Sequence, residues 1–337
     1  MKSWQINHDE IVLTHSDPQT VSGDCVKIKL MYSSTSITDR LIAQKKIRVL
    51  QPLILGKDGV GMVVEAGANV KNCKRGDVVA IKPLHLCSEC DSCVDSKLTK
   101  CSRPLVFGLN ESGFLSDFAV VSQNDIVKIP SHVEPKNAVF IDYIDIAIET
   151  ITKSGIEKGQ HLVICGASAL GIIIAQVAMY YQVVPILVDI DQSFLTLASE
   201  MGIYYTINST LDDTGKKIFE LTAGKMGDVV ALVAESSYRF DQCIKYVRKG
   251  GTACVCGIEQ TMTDLSMSLK EILNQRLSVF GIGDSNKHTM SAINILAGNN
   301  INVDKLILKT VDFDKAADEL KHEITNSLIY LKTLIKM

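Results

Sequence analysis

Residues 162–188 carry no charged side chain, and this window restricts the fold more than any other part of the chain. A charge-free stretch of that length could span a bilayer. Gly166, Gly171 and Pro185 instead divide it into lengths suited to a strand, a turn, a helix and a second strand. Gln176 and Gln182 would also sit badly in hydrocarbon. A buried βαβ unit is the expectation. Apolar runs at 228–234 and 252–257 join those at 161–165 and 184–190 as strands buried on both faces. Helical patterns separate them at 170–181, 192–201 and 240–247, and Gly202 stands where a helix C-cap glycine belongs. Strands alternating with helices predict a doubly wound parallel sheet of the α/β class.

The turn inside this unit reads Gly166-Ala167-Ser168-Ala169-Leu170-Gly171. It approximates the Gly-x-Gly-x-x-Gly fingerprint of dinucleotide binding, with Ser168 at the middle glycine. That chemistry needs a tight turn, backbone N–H groups close to a pyrophosphate, and a helix N-terminus aimed at negative charge. Asp189 ends the next apolar run, 23 residues beyond Gly166. This is close to the ~20-residue offset of the acid that binds the ribose hydroxyls. A carboxylate there repels a 2′-phosphate, and Asp191 adds negative charge nearby, so NAD is expected rather than NADP.

The first third of the chain patterns differently. Val26, Ile28 and Leu30 alternate with Lys27 and Lys29, the period of a half-buried strand, and further short runs follow at 61–65 and 77–82. Helical periodicity is scarce there, so a mainly antiparallel sheet is expected. An irregular lobe at 83–109 interrupts it and holds Cys87, Cys90, Cys93 and Cys101. Two two-residue spacers and a fourth cysteine fit a structural zinc held by four thiolates. Lys97, Lys100 and Arg103 would offset the net negative charge of such a centre. An iron–sulfur cluster also uses Cys-x-x-Cys-x-x-Cys, but the spacing to Cys101 and the missing proline do not match the ferredoxin pattern. The other six cysteines are scattered in mostly apolar contexts, as reduced, buried thiols are.

At 337 residues the chain exceeds what one core usually fills. Its net charge of −3 gives no handle on a phosphate polymer, so nucleic acid is not an expected partner. The first residues are too polar for the core of a signal peptide, and a cytoplasmic protein is expected. The seven histidines show no metal-ligand spacing; His85, beside the cysteine lobe, would contact zinc only if a cysteine were unavailable. Trp4 is expected to pack. The charge-rich segment 312–323 reads as a solvated helix with Phe313, Ala316, Ala317 and Leu320 on its buried side. A last strand is expected at 328–331.

Residues 52–61, Lys74-Arg75-Gly76-Asp77-Val78-Val79, the cysteine lobe, residues 112–118 and the glycine-rich unit together resemble the medium-chain dehydrogenase/reductase superfamily. The likeness is strongest to zinc-containing alcohol, polyol and threonine dehydrogenases and covers essentially the whole length. It implies a GroES-like catalytic domain from residues 1–145 and 284–337, and a Rossmann NAD-binding domain at 146–283. It also implies a small-molecule substrate, no membrane, and a homodimer or homotetramer. Relatives with a catalytic zinc take ligands from Cys-x-Thr/Ser-Asp and Gly-His-Glu segments. Here these read Ser36-Ile37-Thr38-Asp39 and Gly56-Lys57-Asp58, and a further acidic position corresponds to Asp142. Serine is a poor zinc ligand and a protonated lysine is none. The expectation is therefore that the Lys57 ammonium sits between Asp58 and Asp142 in place of the catalytic zinc and polarises a substrate carbonyl. Thr38 matches the proton-relay hydroxyl, and Ser36 is placed to bond the substrate oxygen.

Three functions fit these residues. The leading one is NAD-dependent hydride transfer to or from a secondary alcohol/carbonyl pair of a polyol, sugar or small hydroxy compound. The second is zinc-independent reduction of an activated C=C bond or an imine, which needs no Lewis acid. The third is a nucleotide-binding protein without turnover.

Overall fold

The computed structural model describes residues 1–17, 20–87, 89–94, 101–233, 240–257, 268–325 and 331–337. The chain divides into two compact units: Met1–Asp142 with Ser285–Asn299 and Leu306–Met337, and Tyr143–Asp284 with Asn300–Lys305.

In the first unit a seven-stranded sheet of the described residues runs Ile126–Lys128, Val78–Ile81, Asp58–Ala66, Cys25–Thr35, Lys332–Lys336, Ile307–Asp312, with Phe118–Ser122 also on Cys25–Thr35. Its pairings are antiparallel except Ile307–Asp312 with Lys332–Lys336, which is parallel. The alternation expected at 26–30 holds: Val26, Ile28 and Leu30 are buried and Lys29 is exposed. Phe107 and Phe114 pack ring to ring, 4.8 Å between centroids, in the core below. A short helix, Ile37–Ala43, forms where little helical periodicity is visible. Seven residues cannot hold a helix by propensity. This one is fixed by a capping box, in which Ser36 caps the backbone of Asp39 and the Asp39 carboxylate reaches back to Ser36. Its Ile42 packs with Ala316, Leu320 and Ile335.

The charged segment becomes a 3-10 turn, Phe313–Lys315, and a helix, Ala316–Thr325. Ala316, Ala317 and Leu320 are buried as expected, while Phe313 is only partly so. Trp4 packs on Phe313 and donates its indole N–H to the Phe313 carbonyl at 2.8 Å. The last strand is Lys332–Lys336, beyond the expected 328–331; residues 328–330 lie outside the described residues.

The second unit carries a parallel six-stranded sheet in the order Tyr205–Asn208, Val184–Asp189, His161–Cys165, Gly227–Val233, Val247–Cys256, Ser278–Ile282. This is the doubly wound Rossmann order, reversing direction at His161–Cys165. The first crossover helix, Ala169–Tyr180, has every residue from Ala169 to Ala178 buried, which explains the charge-free window: no face of those ten residues meets water. Gly202 adopts φ +90° directly after the helix Gln192–Glu200, as a C-cap glycine does. The segment expected as one helix at 240–247 is instead a short helix Phe240–Cys243, a 3-10 turn Ile244–Tyr246, and the start of the strand Val247–Cys256. Among the described residues, no helix is long and apolar enough to cross a membrane.

Candidate active site and cation sites

Asp58 and Asp142, two of the expected site residues, come together at one end of the first unit's sheet. Asp58 opens the strand Asp58–Ala66 and lies directly across from Ser34, which donates a short hydrogen bond from its hydroxyl to Asp58 Oδ2. Asp142 stands in the first turn of the helix Ile141–Ser154, where a carboxylate complements the helix dipole. Both carboxylates are buried.

Lys332 is a cation between them. Lys332 Nζ lies 2.6 Å from Asp58 Oδ2, 3.2 Å from Asp142 Oδ1 and 2.9 Å from the Val139 carbonyl oxygen. It also sits 5.4 Å from the centre of the Phe140 ring. The sequence reading placed Lys57 at this pair and did not name Lys332, which arrives from another strand of the sheet.

An ammonium has three N–H donors, and Lys332 meets three acceptors. Burial is the largest influence on its acidity and opposes the charge. The adjacent Asp142 and Asp58 outweigh it and hold Lys332 above the usual lysine range. Lys57, itself buried, lies near enough to push the other way.

Asp39 is fully buried and ties the Ser36–Asp39 turn to the Gly56–Asp58 segment. Its Oδ1 accepts from Gly56 N at 2.7 Å, and its Oδ2 accepts from the backbone N–H and the hydroxyl of Ser36, both at 2.8 Å. Burial pushes its pKa up to about 6 despite those bonds. The Ser36 hydroxyl, expected to face a substrate oxygen, is thus engaged with Asp39; helix capping competes for it. Thr38 is buried in the first turn of the same helix. Gly56 is held from the other side, its carbonyl accepting from Phe114 N at 2.8 Å. A Cβ on Gly113 would come within 2.2 Å of the Gly56 carbonyl oxygen, so these two loops touch backbone to backbone.

Lys332, Ser34 and the acceptor role of Asp39 escaped the sequence reading. One signal was there: a lysine that opens the buried run Thr333-Leu334-Ile335 needs a buried anion.

In the second unit the residues of the dinucleotide fingerprint come together at the start of the helix Ala169–Tyr180. Gly166 has φ +119°, and a Cβ on Gly171 would lie 1.9 Å from the Gly166 carbonyl oxygen, so glycine is required at both ends of the turn. Ser168 is the helix N-cap, its Oγ accepting from Gly171 N at 3.4 Å. Ala169 and Leu170 complete the buried first turn. Asp189 lies at the end of its strand. It accepts backbone N–H bonds from Ala167 at 2.6 Å, Ile190 at 2.7 Å and Asp191 at 2.9 Å. A carboxylate has about four acceptor positions, so these three bonds leave acceptor capacity for a ribose hydroxyl. Asp191 caps the next helix through Ser193.

The sulfurs of Cys87, Cys90, Cys93 and Cys101 all lie within 4.8 Å of one another, and among the described residues this is the single such cluster of possible ligands. Cys87 Sγ is 3.9 Å from that of Cys93 and 3.6 Å from that of Cys101. A zinc tetrahedron with bonds near 2.3 Å has sulfur–sulfur edges of about 3.8 Å, so the thiols fit that ion. Backbone N–H groups of Ser102 and Cys93 pull the Cys90 thiol down to about 6, and those of Glu89 and Cys90 lower Cys87. Thiolates are the form that binds metal. Arg103 pairs with Glu89 at 3.2 Å; Lys97 and Lys100 lie outside the described residues. His85 turns to Asp125, Nδ1 to Oδ2 2.6 Å, and takes no place in the cluster.

Comparison with known proteins agrees with this arrangement. The family described as alcohol dehydrogenase GroES-like domain matches residues 22–131, and the one described as zinc-binding dehydrogenase matches residues 169–297. An uncharacterized zinc-type alcohol dehydrogenase-like protein of Haemophilus influenzae is 29% identical, over 79% of this chain and 78% of its own. The L-threonine 3-dehydrogenase of Pyrococcus furiosus is 26% identical over 86% and 85%. The structure of the alcohol dehydrogenase TADH from Thermus sp. ATN1 superposes with a TM-score of 0.90 over 100% of this chain and 99% of that one, at 18% identity, a likeness of fold. GroES-like sheet, Rossmann sheet and both sequence matches fall on one chain in one order, and the chain is an oxidoreductase that belongs to the medium-chain dehydrogenase/reductase superfamily.

Proposed function

We propose that this protein is an NAD-dependent dehydrogenase of a secondary alcohol/carbonyl pair, on a polyol, sugar or small hydroxy compound, and that it works without a catalytic zinc. One observation carries the zinc-free part. The side chains at the positions of a divalent ion's ligands are already committed: Ser36 to Asp39, and Asp58 and Asp142 to Lys332. Lys57 adds a second positive charge to the same cluster. Two ammonium groups and a capped serine repel a divalent cation rather than hold it.

The dinucleotide would be held by the backbone of the Gly166–Gly171 turn, the helix N-terminus behind Ser168, and Asp189. Asp189 selects NAD by its charge. The bound nicotinamide supplies or accepts the hydride. The chain's own part is to stabilise and protonate the substrate oxygen. The three N–H groups of Lys332 have acceptors within the cluster, and Lys57, buried beside it, is the ammonium assigned to that task. Thr38 is the hydroxyl of the proton path. The four cysteines hold one structural zinc per chain.

The test is turnover with NAD+ on a panel of sorbitol, L-threonine and 2,3-butanediol, run beside NADH with an enone and an imine, together with zinc content. Alcohol oxidation, one zinc per chain and a roughly 100- to 1,000-fold loss of kcat in Lys57→Ala with NADH binding intact are expected. Two zincs per chain, or full activity in Lys57→Ala, would overturn the zinc-free mechanism. Turnover only of the enone or imine would replace the alcohol assignment.

A further inference from the structure

Oxidising an alcohol releases a proton as well as a hydride, and a protonated lysine cannot accept that proton. A base is needed, and the Ser36–Asp39 pair has the geometry of one. Asp39 is fully buried and bonded to three donors: Gly56 N at Oδ1, and the N–H and hydroxyl of Ser36 at Oδ2. Among the described residues no cation pairs with it, whereas Asp58 and Asp142 both face Lys332. Ser36 itself is only half-buried. A hydroxyl offers one donor and two acceptor positions. Ser36 directs its donor to Asp39 Oδ2 at 2.8 Å and accepts from the Asp39 N–H at 3.2 Å. No other donor among the described residues reaches that oxygen, so one acceptor position stays open to an incoming O–H. Its place in the fold also brings Ser36 to the acid cluster. Ser34 lies across from Asp58, and the extended backbone of Ser36 (φ −110°, ψ 167°) continues the alternation of that strand. Ser36 therefore emerges on the side of the sheet that holds Ser34 and Asp58.

We propose that Ser36 and Asp39 form a proton relay: the substrate hydroxyl gives its proton to Ser36 Oγ while Ser36 gives its own to Asp39 Oδ2. This rests on the reading of the protein as an alcohol dehydrogenase. Ser36 is then the residue that touches substrate, and Asp39 acts through it, as positioning residue and proton acceptor. The step balances. The substrate C–H bond breaks with its electron pair leaving as hydride to NAD+, the carbonyl forms, and the proton ends on Asp39. Protonated at Oδ2, Asp39 keeps every contact it has. Ser36 N and Gly56 N still donate to it, and only the Ser36 hydroxyl bond reverses direction. Burial raises its pKa to about 6 against those hydrogen bonds, and the charge of Asp58, which itself faces Lys332, adds to the rise. The carboxylate is thus ionised at neutral pH yet close to taking up a proton. The proton returns to solvent through half-buried Ser36 once product has left. In reduction the same pair delivers a proton to the oxygen or nitrogen left by hydride addition.

The experiment follows kcat against pH, and its solvent isotope effect in D2O, for full-chain wild type, Ser36→Thr, Ser36→Asn and Asp39→Asn. The substrates are those turned over in the panel above. In alcohol oxidation wild-type kcat should fall as pH drops through about 6, where Asp39 takes up a proton. In reduction it should fall as pH rises through the same value. Asparagine caps a helix as well as serine does but relays no proton. Ser36→Asn should therefore lose about 100-fold in kcat, together with the pH limb and the isotope effect. Ser36→Thr, which keeps a hydroxyl, should stay within about tenfold of wild type and retain both. Asp39→Asn should lose the limb as well. Equal kcat in the two Ser36 variants reduces Ser36 to a cap and overturns the proposal. So does a limb near pH 6 that survives in Asp39→Asn. If Asp39→Asn does not fold, the two Ser36 variants decide. No turnover of any substrate overturns the function proposed above and the relay with it, whereas turnover with the wrong variant pattern overturns the relay alone.

Discussion

The cysteine lobe and the Asp58–Asp142 pair both gather negative charge in the same unit of the molecule, and they neutralise it by opposite means. The lobe offers four soft sulfurs at the edge lengths of a tetrahedron, two of them with thiols lowered by backbone N–H groups. It is a site made for an ion from outside. The carboxylate pair is hard, buried and closed around a cation covalently part of the chain. An external ion can be removed with a chelator, and its contribution depends on its concentration. A lysine is present in fixed stoichiometry and can be removed only by mutation. The difference teaches that one unit can gather negative charge both where an ion from outside fits and where a side chain already supplies the counter-charge.

The sharpest way to break this comparison is to strip the lobe. Chelation, or Cys90→Ser, should remove the zinc and with it stabilisation that reaches about 10 kcal/mol or more in small zinc-dependent folds; zinc content and a loss of Tm report it. A lobe that keeps its stability without metal would erase the contrast. Next in size is Lys332→Met, which leaves two carboxylates without their cation and should cost about 3–5 kcal/mol in denaturant unfolding, unaffected by chelator. A third test sharpens the account of the buried site. The Asp39 pKa in the folded protein, about 6, lies above the ordinary 3.8. Its contribution to stability is therefore full below pH 3.8 and is lost as pH rises through 6. The span is worth about 3 kcal/mol. In Asp39→Asn, stability measured between pH 4 and pH 7 should lose that much of its downward slope with rising pH; an unchanged slope would show that the carboxylate titrates normally. The smallest effect belongs to Arg103→Ala, which removes an exposed ion pair with Glu89 and should change stability by under about 1 kcal/mol. A larger loss would mean that the lobe depends on local charge as well as on its metal.

The parts of the molecule most legible in the sequence are those where the backbone does the chemistry. Gly166 and Gly171 are dictated by a φ and by a 1.9 Å approach, and such demands leave the same residue at the same spacing in any chain that meets them. The buried strands His161–Cys165 and Val184–Asp189 announce themselves by composition, and the cysteines by spacing. The helix Ile37–Ala43 was hidden because a single capping box replaces periodicity as its cause. Lys332 was hidden for a related reason. Its partners lie 190 and 274 positions earlier in the chain, and nothing local to Lys332-Thr333-Leu334 distinguishes a buried cation from a solvent-facing one. Identifying Asp58 and Asp142 as acids was possible from motif position; finding that Lys332 reaches both required the register of the sheet.

That separation also bears on how the protein is made. A ribosome delivers Asp58 and Asp142 long before Lys332 emerges, and early-synthesised segments fold first where they can. Here Asp58 and Asp142 are without the Lys332 counter-charge until the end of the chain is made. The strand Lys332–Lys336 must also insert between Cys25–Thr35 and Ile307–Asp312. The sheet of the first unit is therefore completed by one of the last segments to be made, whereas every strand of the second unit's parallel sheet has been delivered by Ile282.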